Sequence, residues 1–201
     1  MEIRTIQSEF RVENKEGKAQ ISGYAAVFNE LSDDLGGFRE KIQPGAFSEA
    51  IVNDDVRALW NHDSNYVLGR NKAGTLKLSE DERGLHYVVD LPDTQWAKDL
   101  SESIKRGDVT QSSFGFIVDS DEWAKQDGET VRTLTKVTLF DVSPVTYPAY
   151  PQTSTSARSI LEANKDRIPD DGAESGPTMT ARLLIQKKKL ELLEKTIEGG
   201  N

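Results

Sequence analysis

The stretch VTQSSFGFIV, residues 109–118, sets two adjacent serines in an apolar run that closes on Phe-Gly-Phe. A serine hydroxyl is a poor nucleophile until an imidazole takes its proton, and the imidazole works best when a third group fixes its tautomer. The chain has two histidines, His62 and His86. His62 ends the apolar segment ALWNHD. His86 alternates with Leu85, Tyr87 and Val89 in LHYVVDL, which puts it on the other, solvated face of a strand. His62 is therefore the candidate base for Ser113, provided the fold joins the two segments. The candidate third group is Asp141, inside the apolar segment TLFDVSPVT, where a carboxylate needs a partner. Asp63, next to His62, is the alternative acid, although neighbours on a strand point apart. On the residues alone, each of these also reads as an ordinary solvent-facing or strand-end polar group. Ser112 and Ser113 should face opposite ways, and Gly115 marks a bulge or a close approach of another backbone.

Other chemistries find less support. No cysteine is present, so thiol nucleophiles, disulfides and thiolate metal sites are excluded. No H-E-x-x-H spacing or phosphate-cradling glycine loop occurs, and neither a metal nor a nucleotide cofactor is expected. A net charge of −9 argues against nucleic acid as a partner. No apolar run approaches the roughly 18 residues of a membrane span. MEIRTIQSEF lacks the apolar centre of a signal peptide. The expectation is a soluble, cytoplasmic protein with no membrane partner.

The elements that must position these residues are mostly strands. AQISGYAAVFN and FREKIQ read as strands, and PGAFSEAIV as a short helix with proline near its start. DVRALWNHD reads as a strand turning at Asp63-Ser64-Asn65. GTLKLSEDERG and LHYVVDL form a hairpin around a polar turn. In TQWAKDLSESIKR, Trp96, Leu100 and Ile104 recur at helical spacing, with Asp93 or Thr94 as cap and Gly107 as stop. Short strands with antiparallel-type connections predict an α+β fold, a mostly antiparallel β-barrel with a few short helices, spanning residues 1–155.

Composition then changes. Residues 156–178 are rich in Ser, Asp, Pro and Gly and read as a flexible linker holding one short helical candidate, SILEANK. Residues 179–198 read as an amphipathic helix, with Leu183, Gln186, Leu190, Leu193 and Ile197 at heptad-like spacing. Such a narrow stripe wants a partner helix or a place on the domain.

Seven stretches, in order, resemble the prohead serine proteases of tailed bacteriophages, which share a fold with the herpesvirus assembly proteases. They are GYAAVFN, REKIQPGAF, LWNHD with LGR, GTLKLSEDERGLHYVVDLPDT, RGDV, QSSFGF and LFDVSPVTYPAYPQT. The resemblance implies that Ser113, directly before Phe-Gly-Phe, is the nucleophile and that His62 is the general base. It implies Asp141, in the L-x-[DE]-V-S segment, as third member. The herpesvirus relatives use a later histidine there, and none follows Ser113. The Tyr147-Pro148-Ala149 segment is a candidate source of oxyanion donors. The implied function is capsid maturation inside the assembling prohead in the host cytoplasm. The implied substrates are the scaffold protein or the scaffolding segment of the major capsid protein, and the protease itself, with self-association. The alternative is a non-catalytic capsid-assembly module of the same fold, for which Ser113→Ala would leave capsid processing unchanged.

Overall fold

Alternating side chains and well-placed turns make this a chain of strands. The computed structural model describes residues 1–15, 17–147 and 154–169. The strands are β1 (Glu2–Gln7), β2 (Arg11–Lys15), β3 (Lys18–Val27), β4 (Arg39–Ile42), β5 (Arg57–Trp60), β6 (Asp63–Arg70), β7 (Leu76–Glu80), β8 (Gly84–Asp90), β9 (Gln111–Gln126) and β10 (Glu129–Val145). Helix α1 (Ser48–Asn53) lies between β4 and β5, α2 (Gln95–Arg106) between β8 and β9, and α3 (Ser154–Asn164) after β10.

One sheet runs β1-β9-β10-β5-β6, with β4 also on β10, and the other runs β2-β3-β8-β7. The long β9–β10 hairpin turns at Asp127-Gly128, both at positive φ (52° and 79°), as its right-handed twist favours. Most pairings are antiparallel, but β4 and β5 run parallel to β10, at Val131–Leu134 and at Asp141–Val142. This corrects the expectation of antiparallel connections throughout. Helix α1 returns the chain to the same edge of β10, so β4 and β5 share its direction. Among the described residues the pairings make two sheets rather than a closed ring. The fold is mixed α+β and sheet-dominated, without the expected barrel closure.

The core joins both sheets. Phe114, Phe116, Leu139 and Val142 from β9 and β10 cluster with Ile21, Leu85, Tyr87 and Val89 from the other sheet. Phe47, ahead of α1, meets Phe114 edge-on at 5.5 Å. Helix α2 buries Ala97, Leu100, Ser101 and Ile104, one face at helical spacing, and ends at Gly107 with φ 81°.

The compact unit runs to Ile168, beyond the expected boundary at 155. Ile160, Leu161 and Ile168 pack against buried Phe38 and Trp123, and Arg167 pairs with Asp121. The helical candidate SILEANK coincides with the end of α3 and carries Ile160 and Leu161, so the expected linker is structured over its first part. The rest of 156–178 and the expected helix 179–198 lie outside the described residues.

Candidate active site

Strand alternation separates the two serines. From Ser112 to Phe116 of β9 the even residues face the core: Phe114 and Phe116 are fully buried there, and Ser112 Oγ lies 3.3 Å from Tyr87 Oη. Ser113 and Gly115 face the other way. On β10, Ser143 pairs with Ser113 and Asp141 with Gly115.

Asp141 reaches that face through a break in the ladder. Leu139 pairs with core-facing Phe116, and the register shifts before Asp141, leaving Phe140 as an extra residue. Without the bulge, Asp141 would share the core face of Leu139; with it, the carboxylate turns to the face of Ser113. Gly115 completes the fit, because a Cβ there would lie 2.5 Å from Asp141 Oδ1.

His62 comes from a hairpin tip. Trp60 pairs with Asp63, so Asn61 and His62 are the two loop residues, at φ 55° and 58°. Positive φ at both positions is the signature of a type I′ turn, a conformation that costs most residues energy. The turn expected at Asp63-Ser64-Asn65 therefore falls two residues earlier, where Asn61 accepts left-handed backbone. Asn61 also ties the tip to β10: its N–H donates to the Pro144 carbonyl at 3.1 Å, and its Oδ1 accepts from Thr146 N–H at 2.8 Å.

These elements bring the three expected residues together. His62 Nε2 lies 2.7 Å from Ser113 Oγ, and His62 Nδ1 lies 2.6 Å from Asp141 Oδ2. A carboxylate only accepts, so Nδ1 carries the proton and Nε2 is free to accept one. Ser143 Oγ donates to the same Oδ2 at 2.7 Å from a fully buried position. The His62 side chain is 16% exposed and that of Asp141 7%, a shielded setting in which such charge-assisted bonds are strong.

The nucleophile candidate itself is covered. Ser113 has no exposed surface, because β1 pairs along β9 with Thr5 opposite Ser113. Ser113 Oγ donates to the Arg4 carbonyl at 2.8 Å and accepts from Thr5 Oγ1 at 3.2 Å. One hydroxyl proton cannot serve both the Arg4 carbonyl and His62 Nε2.

The remaining candidates stand elsewhere. Asp63 Oδ1 accepts from the backbone and side chain of Asn65 and takes no part in the cluster. His86 lies on the outer face of β8 against the Tyr24 ring, centroids 5.0 Å apart, and burial lowers its pKa. Tyr147 is exposed, and Pro148 and Ala149 lie outside the described residues. Ser143 and Asn61 were not singled out from sequence. Ser143 sits two residues from Asp141, the spacing that shares a strand face, and Asn61 occupies a two-residue hairpin loop. Both signals were local.

Residues 7–166 match the family described as caudovirus prohead serine protease. No curated protein matches the chain. Among solved structures it is similar to the capsid assembly protease of bacteriophage T4, at 10% identity, a TM-score of 0.49, and coverage of 72% of this chain and 96% of that one. The family match spans most of the chain, including every residue of the cluster, and the chain belongs to the caudovirus prohead serine proteases.

Proposed function

We propose that this protein is a serine endopeptidase of capsid maturation in which Ser113 is the nucleophile, His62 the general base and Asp141 the group that orients His62. The continuous chain of short contacts from Ser113 through His62 to Asp141 carries this reading. His62 Nε2 takes the Ser113 proton as Oγ attacks the scissile carbonyl, then gives it to the leaving amine. Asp141 holds the imidazole through Nδ1 and balances the imidazolium. Ser143 supports the carboxylate oxygen that receives Nδ1. Water then releases the acyl group by the same route in reverse.

The substrates in this reading are the scaffold protein or the scaffolding segment of the major capsid protein, and the protease itself, inside the assembling prohead. Support comes from the family, whose description names the prohead. Residues 179–198 are the proposed attachment to scaffold helices, and self-association is part of the same proposal. Co-expression with the major capsid protein of the same phage, wild type against Ser113→Ala, tests the reaction. Intact-mass analysis should show trimmed capsid protein and trimmed protease only with the wild type. Equal trimming in both would sink the proposal.

A further inference from the structure

The covered serine needs an explanation, because a nucleophile with no exposed surface cannot meet a substrate. What covers it is an extended peptide. Strand β1 runs antiparallel along the edge of β9 from Gln111 to Phe116 and sets one carbonyl, that of Arg4, at 2.8 Å from Ser113 Oγ. The hydroxyl meets the carbonyl oxygen as a donor, a hydrogen-bonded rather than a reacting arrangement.

The Arg4 side chain is held as specifically as its carbonyl. Its Nε donates to Glu40 Oε1 at 2.7 Å and its Nη2 to Glu40 Oε2 at 3.1 Å, a bidentate pair with a buried carboxylate. The guanidinium also lies 5.5 Å over the Phe116 ring. Glu40 is on β4 and Phe116 on β9, so both remain if β1 leaves. A groove of about 380 Å³ borders this place, lined by Glu40, Phe114 and Lys41 as well as by β1 itself. The family match begins at residue 7 and leaves out most of β1.

Resting on the serine-protease reading above, we propose that the β9 edge beside Ser113 is the substrate site, that it takes an extended peptide with Arg or Lys on the acyl side of the cut bond, and that β1 fills it in this structure. Glu40 and Phe116 are the specificity residues, receiving the basic side chain as they receive Arg4. The competition for the Ser113 proton also explains how β1 keeps the serine idle. Substrate enters when β1 gives up the edge, and its scissile carbonyl then meets Ser113 Oγ through its carbon rather than its oxygen, which leaves the hydroxyl proton to His62.

Two measurements on the full chain test this. The first is cleavage of a peptide panel that differs only in the acyl-side residue: Arg, Lys, Ala or Glu. Arg and Lys peptides should be cut about ten- to hundred-fold faster than the Ala peptide, the worth of a charge-assisted hydrogen bond, and this preference for a basic residue should collapse in Glu40→Gln. Equal or faster cleavage of the Ala or Glu peptide by the wild type overturns the specificity without recourse to a variant.

The second measurement locks β1. Ser8 N–H donates to the Thr110 carbonyl at 2.9 Å, so Gln7 and Gln111 form one of the close, non-hydrogen-bonded pairs, with Cα atoms about 4.5 Å apart. That lies within disulfide range, and the chain has no other cysteine. The Gln7→Cys/Gln111→Cys variant should be inactive when oxidised and active when reduced. Full activity in the oxidised form overturns occupancy by β1. Amide exchange gives a readout that needs no turnover: residues 2–7 should exchange faster than the β9–β10 ladder, and equal protection would again overturn it. If Ser113→Ala still cuts the panel, the serine-protease reading fails instead, and the exchange result decides the occupancy.

Discussion

Asp141 and Gly115 face each other across the β9–β10 ladder, and the Asp141 carboxylate occupies the space a side chain at 115 would fill. The glycine is there for the acid. Gly115→Ala sets a Cβ 2.5 Å from Asp141 Oδ1, so the carboxylate must move from beneath His62. Overpacking of this kind costs about 1–3 kcal/mol. The expected outcome is a lower kcat with little change in KM, checked by steady-state kinetics alongside a melting curve. Unaltered kcat would mean that the carboxylate tolerates the shift.

The two serines should separate cleanly. Ser113→Ala removes the proposed nucleophile, and kcat should fall by about 10³-fold or more. Ser112 touches Tyr87 and the Ser143 carbonyl in the core, so Ser112→Ala should keep most activity and lose about 1 kcal/mol of stability. Parallel kinetics and denaturant melts of both variants read this out. The reverse pattern would assign the nucleophile to the wrong face of β9.

Asn61 has two roles that substitution can divide. It holds a left-handed backbone at φ 55°, and its side chain ties the His62 turn to Thr146 on an exposed surface. Asn61→Gly keeps the backbone preference and loses the tie, whereas Asn61→Ala loses both. Both variants should lose activity. Asn61→Ala should also be less stable than Asn61→Gly by about 1 kcal/mol. Wild-type activity in both would show that the turn holds His62 without the tie.

A buried charge cluster sets an acid limit on stability. Desolvation opposes ionisation of Asp121, yet hydrogen bonds from Arg132, at 2.6 Å, and Arg167 hold its carboxyl below the usual range. A depressed carboxyl stabilises the folded state fully above its unfolded pKa of about 3.9, and that contribution fades as pH falls through the folded value. Thermal melts from pH 6 downward should therefore show wild type losing stability below about pH 4. Asp121→Asn should be destabilised by about 1–3 kcal/mol at pH 6, because Arg132 loses one charged acceptor while keeping Glu2 and Glu40, and should lose less on further acidification.

Residue types and local spacing were enough for much of this protein. The β7–β8 hairpin, the inward face and glycine stop of α2, the opposite facing of Ser112 and Ser113, and the outward His86 all follow from periods of 2 and 3.6 and from turn chemistry, which neighbours in sequence set. Family motifs picked out Ser113, His62 and Asp141. What tertiary structure decided depends on pairings between distant segments. The bulge at Phe140 that turns Asp141 toward Ser113 exists only against β9. The parallel seats of β4 and β5 on β10 follow from α1, and the anchoring of Ile160, Leu161 and Ile168 from a surface made by Phe38 and Trp123. Most of all, nothing in MEIRTIQ discloses that it lies over the serine. That contact spans more than a hundred residues, and the partners that receive β1, the β9 edge and Glu40, come together only in the tertiary fold.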